Sequence, residues 1–450
     1  MHAAALDAFL RAALVPRAGA HAAGDTAEAE AVRAAHPSLA IDSLHAAAVL
    51  GDEGAIAAHL RQEPAAATAP GGPYDWDPLT HLCFSRYLRV DATADARWAR
   101  AAEALLHAGA SASTGFHEPD HAPFPGFESV LYGATGIARH PALARVLLAH
   151  GADPNDDEVA YHAPEGHDNA ALAVLLADAR LSAETLTIML LRKLDWHDVA
   201  GVRLVLARGA DPGRTGRWGR APLEHAMVRD NALAILEALL DAGADPMDAG
   251  AGVSLRARAA RLGRGDVLEA CTRRGIARPP LEETDALLAA CATNDGEGVA
   301  ACVARAPGAR TALRAHGGAT LVAFARVGNA AGVAHLLALG VPVDACDPLG
   351  DGYWGIAPAS TALHVAAWRA WPQTVSVLVT QGADVHARDG AGRTPLALAV
   401  RACTEAYWAD RRSPRSVAEL LEAGARVDGI PGPSGYPPVD DLLRRHGAPW

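Results

Sequence analysis

Leu147-Leu148-Ala149-His150-Gly151-Ala152-Asp153-Pro154 is the stretch whose reading decides the fold. A leucine-rich run stops at a glycine, and Ala-Asp-Pro follows. Close relatives of the phrase return at residues 209–212, 243–246 and 382–384, with degraded copies at Gly109, Gly340 and Gly424. The steps are about 33 residues, stretched in places by insertions, or two to three such units. Self-similarity at that period marks a solenoid of helix pairs, in which each unit buries its apolar face against its neighbours.

Working outward, the 450 residues exceed the size at which one core keeps growing, so an elongated array or several domains is expected. Half the residues are hydrophobic yet only 5% are aromatic, so small side chains dominate and helices can stack closely. The net charge of −12 argues against a general nucleic-acid or anionic-membrane binder, because both need clustered positive charge. The six cysteines (83, 271, 291, 302, 346 and 403) form no C-x-x-C pair, which reads as reduced, buried thiols. The start, Met1-His2-Ala3-Ala4-Ala5-Leu6-Asp7, lacks a basic leader region. No run reaches about 18 uncharged apolar residues. A cytoplasmic monomer without a cofactor is therefore expected.

The clearest unit runs Ser360-Thr361-Ala362-Leu363-His364-Val365-Ala366-Ala367, through an apolar run at 375–379, to Gln381-Gly382-Ala383-Asp384. The next opens Asp389-Gly390-Ala391-Gly392-Arg393-Thr394-Pro395-Leu396-Ala397-Leu398-Ala399. This pattern resembles the ankyrin repeat, D-x-x-G-x-T-P-L-H-x-A-A followed by a second apolar helix and G-A-D, here in a long array of bacterial-type composition. Each part has a physical reason. Thr caps the first helix and Pro fits its first turn. Ala-Ala lets helices approach, and Gly ends the second helix in a left-handed conformation. The resemblance implies an all-α ankyrin solenoid with projecting turns and a concave groove. Residues 40–430 would form about eleven units, with a helical cap at 1–39 and a cap helix at 431–450. Longer loops interrupt the array at 111–128, 346–359 and 403–416. Leu206 and Leu240 are expected inside the helix stack.

Some motifs suggest other chemistry. His117-Glu118-Pro119-Asp120-His121 matches H-E-x-x-H, but the zinc-binding form needs a helix that Pro119 opposes. His162, Glu165, His167 and His197 lie in loops of adjacent units and could converge on a divalent metal. An enzyme or metal-dependent binder using the loops 117–121, 161–168 and 197–198 is therefore the alternative function. The competing reading makes His197 part of the ordinary turn between two helices. His45 and His364 occupy the T-P-L-H position, where the resemblance implies a turn hydrogen bond.

The main expectation is a non-catalytic module that holds a protein partner in the groove. Ankyrin partners generally meet the turn tips and the adjoining face of the first helix. Carried over residue by residue, that implies Arg217, Trp218, Arg220, Arg229, Trp368, Arg369, Arg393 and Arg401. It implies Trp76, Glu128, Asp195 and Trp196 more loosely, because their units depart from D-x-x-G. Trp and Arg dominate binding hot spots, and arginines on an acidic chain point to an acidic segment of the partner.

Overall fold

The computed structural model describes every residue except 1, 20, 22, 91–94, 119–125, 179, 277–279, 407, 409 and 410. The chain divides into two compact units, residues 1–245 and 246–450. Both are built from short α-helices in succession. Among the described residues the only sheets are two two-stranded pairs, Gly115–Glu118 with Gly126–Ser129 and Cys346–Asp347 with Ser360–Thr361.

One pair shows why these residues fold this way. Helix Pro222–Val228 starts with Pro at its first turn, where the missing donor costs nothing, and buries Leu223, Ala226 and Met227. Asp230 then takes a left-handed conformation and turns the chain into helix Leu233–Asp241, which buries Ile235, Leu236 and Leu239. That helix ends as a Schellman motif. Gly243, at φ 103, donates to Leu240, and Ala244 donates to Leu239. The same ending recurs at Gly382, where Ala383 donates to Leu378. The left-handed turn between two helices recurs at Gly51, Arg139, His197, Asp230, Gly263, Asn294, Gly328 and Ala370. The array is thus regular even where the sequence is not.

Leu206 and Leu240 are only half-buried, whereas Val205 and Leu239, one residue earlier, are fully enclosed. The expected core positions are therefore one step out of register. Each side chain leans toward the helix N-terminus, so the last leucine before the glycine faces partly outward.

In the unit 1–245, helices His2–Ala13 and Ala27–Ala35 precede the repeats, and Phe9 and Leu10 are fully buried. In the unit 246–450, helix Ala362–Trp368 is held by a complete capping box. Thr361 accepts from His364 N–H, and His364 Nδ1 accepts from Thr361 N–H. His364 Nε2 lies 3.1 Å from the carbonyls of both Ala387 and Arg393, tying one repeat to the next turn. His45 contacts the Ala69 carbonyl at 3.0 Å.

The insertions of the unit 246–450 are packed. The 346–359 loop buries Trp354, and the 403–416 loop brings in Trp408. The Arg369 guanidinium lies 4.0 Å from the Trp354 ring centroid and 4.6 Å from that of Trp408. Trp368 Nε1 donates to the Trp354 carbonyl at 2.6 Å. These loops act as walls, with an arginine set against two neighbouring indoles whose centroids are 5.8 Å apart.

Candidate functional site

The 111–128 insertion, expected as a longer loop, pairs its two arms as antiparallel strands with Phe116 opposite Glu128. Only glycine fits at 115, because a Cβ there would stand 2.1 Å from the Glu128 carbonyl oxygen. Strand alternation sends Phe116 and Glu118 inward and His117 outward. Phe116 stacks on Trp76 with centroids 4.4 Å apart. On the other strand Glu128 faces inward, and Ser129 caps the following turn of helix, Val130–Tyr132.

Two carboxylates are thus brought into the interior, where charge is costly unless it is compensated. Against them sits His21. Its Nε2 is 3.5 Å from Glu118 Oε2, its Nδ1 is 3.8 Å from Glu128 Oε2, and its Nδ1 is 3.0 Å from the Tyr132 hydroxyl. Burial, and then the charges of Glu158 and Glu118, push the Glu128 carboxyl up to about 8. Burial also holds His21 below its ordinary value.

A polar seam continues from Tyr132, whose ring is 5.3 Å from that of His162. His162 lies 3.3 Å from Glu158 and 3.1 Å from Glu165. Burial works against its charge, but the hydrogen bonds to Glu158 and Glu165 outweigh it and raise His162 to about 9. Arg192 bonds Glu165 at 2.7 Å and Asp195 at 2.8 Å, with its guanidinium 3.9 Å from the Tyr161 ring centroid. Asp195 also accepts from His225 at 2.8 Å and Arg229 at 2.7 Å. Burial would raise the Asp195 carboxyl, yet His225 and Arg229 bring it down to about 2. From Tyr132 onward each member stands on, or just beyond, the first helix of its pair.

Above the seam lies an exposed rim. The turn 216–220 is closed by Gly216 N–H donating to the Arg220 carbonyl at 3.0 Å. Trp218 is 46% exposed. It is flanked by Arg217, 5.2 Å from its ring centroid, and by Tyr161, edge-on at 6.0 Å. Arg217 also pairs with Asp157 at 3.3 Å.

Of the expected partner contacts, Arg217, Trp218 and Arg220 stand on this turn, and Trp196 is exposed. Asp195 and Arg229 are joined to each other. Four expectations need correction. Trp76 and Glu128 are buried beneath the hairpin, and Trp368 and Arg369 are buried beneath the two loops. The insertions cover the face that the plain repeat would leave open. Arg393 is spent on Asp389 at 2.8 Å and the Gly355 carbonyl at 3.1 Å. Arg401 bonds Glu405 and lies 5.4 Å from the Trp368 ring centroid.

The expected ligands His162, Glu165, His167 and His197 do not gather. His162 and Glu165 meet, but His167 is exposed, and His197 sits in a left-handed turn with Nδ1 2.9 Å from Asn231. His117 and Glu118 lie on a strand, with His117 against Phe127. Pro119, Asp120 and His121 lie outside the described residues. Among the described residues, ligand atoms gather at His21, Glu118 and Glu128, and at the exposed trio Glu103, His107 and His150. His21, Tyr132 and Arg192 carry no local motif, and only the folded chain brings them to their partners. No described helix is long and apolar enough to cross a membrane.

Residues 360–390 match the family described as ankyrin repeat. No curated protein matches the sequence. Among solved structures, the crystal structure of the human ASB11 ankyrin repeat domain aligns with 65% of this chain and 96% of its own, at 19% identity and a TM-score of 0.23.

Proposed function

We propose that the chain, an ankyrin-repeat protein, is a non-catalytic module that holds a protein partner on the exposed rim around the turn 216–220. Protein binding is what ankyrin repeats ordinarily do. The observation that carries the location is Trp218, half exposed yet fixed between Arg217 and Tyr161. A large amphipathic side chain held in place loses little freedom on binding, which is the usual character of a hot spot. Arg217 lies against it and Arg214 and Arg220 stand within four residues of it in the chain, so an acidic segment of the partner suits the rim. The half-buried seam beneath serves to set that rim, with Tyr161 stacked on Arg192.

The test is a pull-down from source lysate with native protein and with a Trp218→Ala/Arg220→Ala double variant. A partner captured by the native chain should be lost from the variant at an unchanged melting temperature. It should also elute as salt rises, because exposed charge pairs are screened. Capture that survives both the variant and high salt would place the partner elsewhere.

A further inference from the structure

Three side chains that the rim does not use meet in the interior of the unit 1–245. His21 is 6% exposed, Glu118 7% and Glu128 1%. One ligand-type atom from each lies within 4.8 Å of the others. The other polar atoms of Glu118 and His21 are already committed. Glu118 Oε1 accepts from Gly19 N–H at 2.8 Å, leaving Oε2 to face His21. His21 Nδ1 is 3.0 Å from the Tyr132 hydroxyl, leaving Nε2 to face Glu118. Both His21 Nε2 and Glu128 Oε2 are buried without a hydrogen-bond partner. Buried polar atoms are satisfied in the great majority of cases, so two orphans in one small space call for a further group. A proton shared between His21 and Glu118 would leave the Glu128 oxygen unmatched.

We propose that His21, Glu118 and Glu128 form a binding site for a divalent first-row transition-metal cation, with Tyr132 fixing the orientation of the histidine ring. The chemistry selects the class of ion. An imidazole with two carboxylates suits zinc, manganese or iron(II), whereas magnesium and calcium take oxygen ligands and copper(I) favours sulfur. Metal–ligand bonds of about 2.0–2.2 Å in tetrahedral geometry place ligand atoms roughly 3.3–3.6 Å apart. The 3.5 Å between His21 Nε2 and Glu118 Oε2 already meets that spacing, and Glu128 Oε2, 3.8 Å from Nδ1 on the same ring, would swing toward Nε2 to complete the set. Two carboxylates also cancel the ion's double charge in a place where an isolated charge is costly. The bound ion would pin the segment carrying His21 to both strands of the hairpin. This site is independent of the partner-binding reading.

The experiment uses full-length protein, stripped with a chelator, dialysed against zinc or manganese alone, and analysed for bound metal and melting temperature. The expected result is about one ion per chain and a raised melting temperature. Both effects should vanish in His21→Ala and Glu128→Gln and persist in a His107→Ala/His150→Ala double variant, which dismantles the exposed trio. Tyr132→Phe should weaken affinity about 10–100-fold, as loss of a ligand-orienting partner does. Native protein that retains no stoichiometric metal overturns the proposal, as does uptake that follows His107 and His150 instead. Should the ligand variants fail to fold, cobalt(II) in the His107→Ala/His150→Ala variant decides. A spectrum of nitrogen and oxygen donors supports the site, and a thiolate charge-transfer band moves the metal to a cysteine.

Discussion

Arg369 carries its charge in a nearly closed space, against the rings of Trp354 and Trp408. A guanidinium spreads its charge and contact area over two neighbouring indoles as a compact ammonium does not, so Arg369→Lys should not restore what Arg369→Ala removes. Either variant should destabilise the folded chain by about 2–3 kcal/mol in denaturant titrations. The sequence placed Trp368 and Arg369 at the right point of the repeat, but the cover laid over them by two insertions was invisible, because insertions follow no period. Glu128 was hidden in the same way beneath its own hairpin. At the titrating residues the signs can be worked out for metal-free protein. Asp195, held at about 2, contributes stability that is present above about pH 4 and lost as pH falls through about 2. His162, at about 9 when folded and near 6.5 otherwise, contributes below about pH 6.5 and loses that contribution as pH rises through about 9. Glu128 stays protonated up to about 8, so its contribution is also lost upward, from about pH 4.5. Denaturation with a chelator present should show stability falling between pH 6.5 and 9, by at most about 1.4 kcal/mol per pH unit for each group. His162→Gln should flatten the upper part of that fall.

Among the elements, the hairpin and the paired helices make different demands. At Gly115 a side chain would collide with the Glu128 carbonyl, so Gly115→Val should open the hairpin. Hydrogen exchange should then quicken at residues 115–118 and 126–129 and at Trp76, which loses its stack on Phe116, while the 360–390 repeat stays protected. In the paired helices the cost of truncation follows burial. Leu239→Ala leaves a cavity and should cost about 2–5 kcal/mol, whereas the half-buried Leu240→Ala should cost clearly less, as denaturant midpoints would show. The Gly-Ala-Asp phrase made the helix endings legible, because a left-handed residue after a leucine run has few other uses. The left-handed turn between helices was legible at His197, which one reading of the sequence placed there. Arg139, Asp230 and Ala370 adopt it without announcing it, since packing on both sides overrides their weak local preference.

At the scale of the whole molecule, the repeat sets how disruption travels. Within each unit the helices rest mainly on the pairs before and after them, as Ala183–Asp195 does between Asp157–His162 and Pro222–Val228. Stability in such an array is close to a sum of unit terms and neighbour terms, with no single core that must fail at once. A 450-residue chain melting in one step would expose surface in proportion to its length and give a correspondingly steep denaturant dependence. The array instead predicts a shallower, broader transition. It also predicts that Leu239→Ala loosens its own neighbourhood first. Hydrogen exchange followed through a denaturant series should show residues 222–241 losing protection at lower denaturant than in the native chain. Residues 362–380 should open at their original concentration. Simultaneous loss at both places would mean that the two units unfold as one cooperative body, and the nearest-neighbour description would then fail.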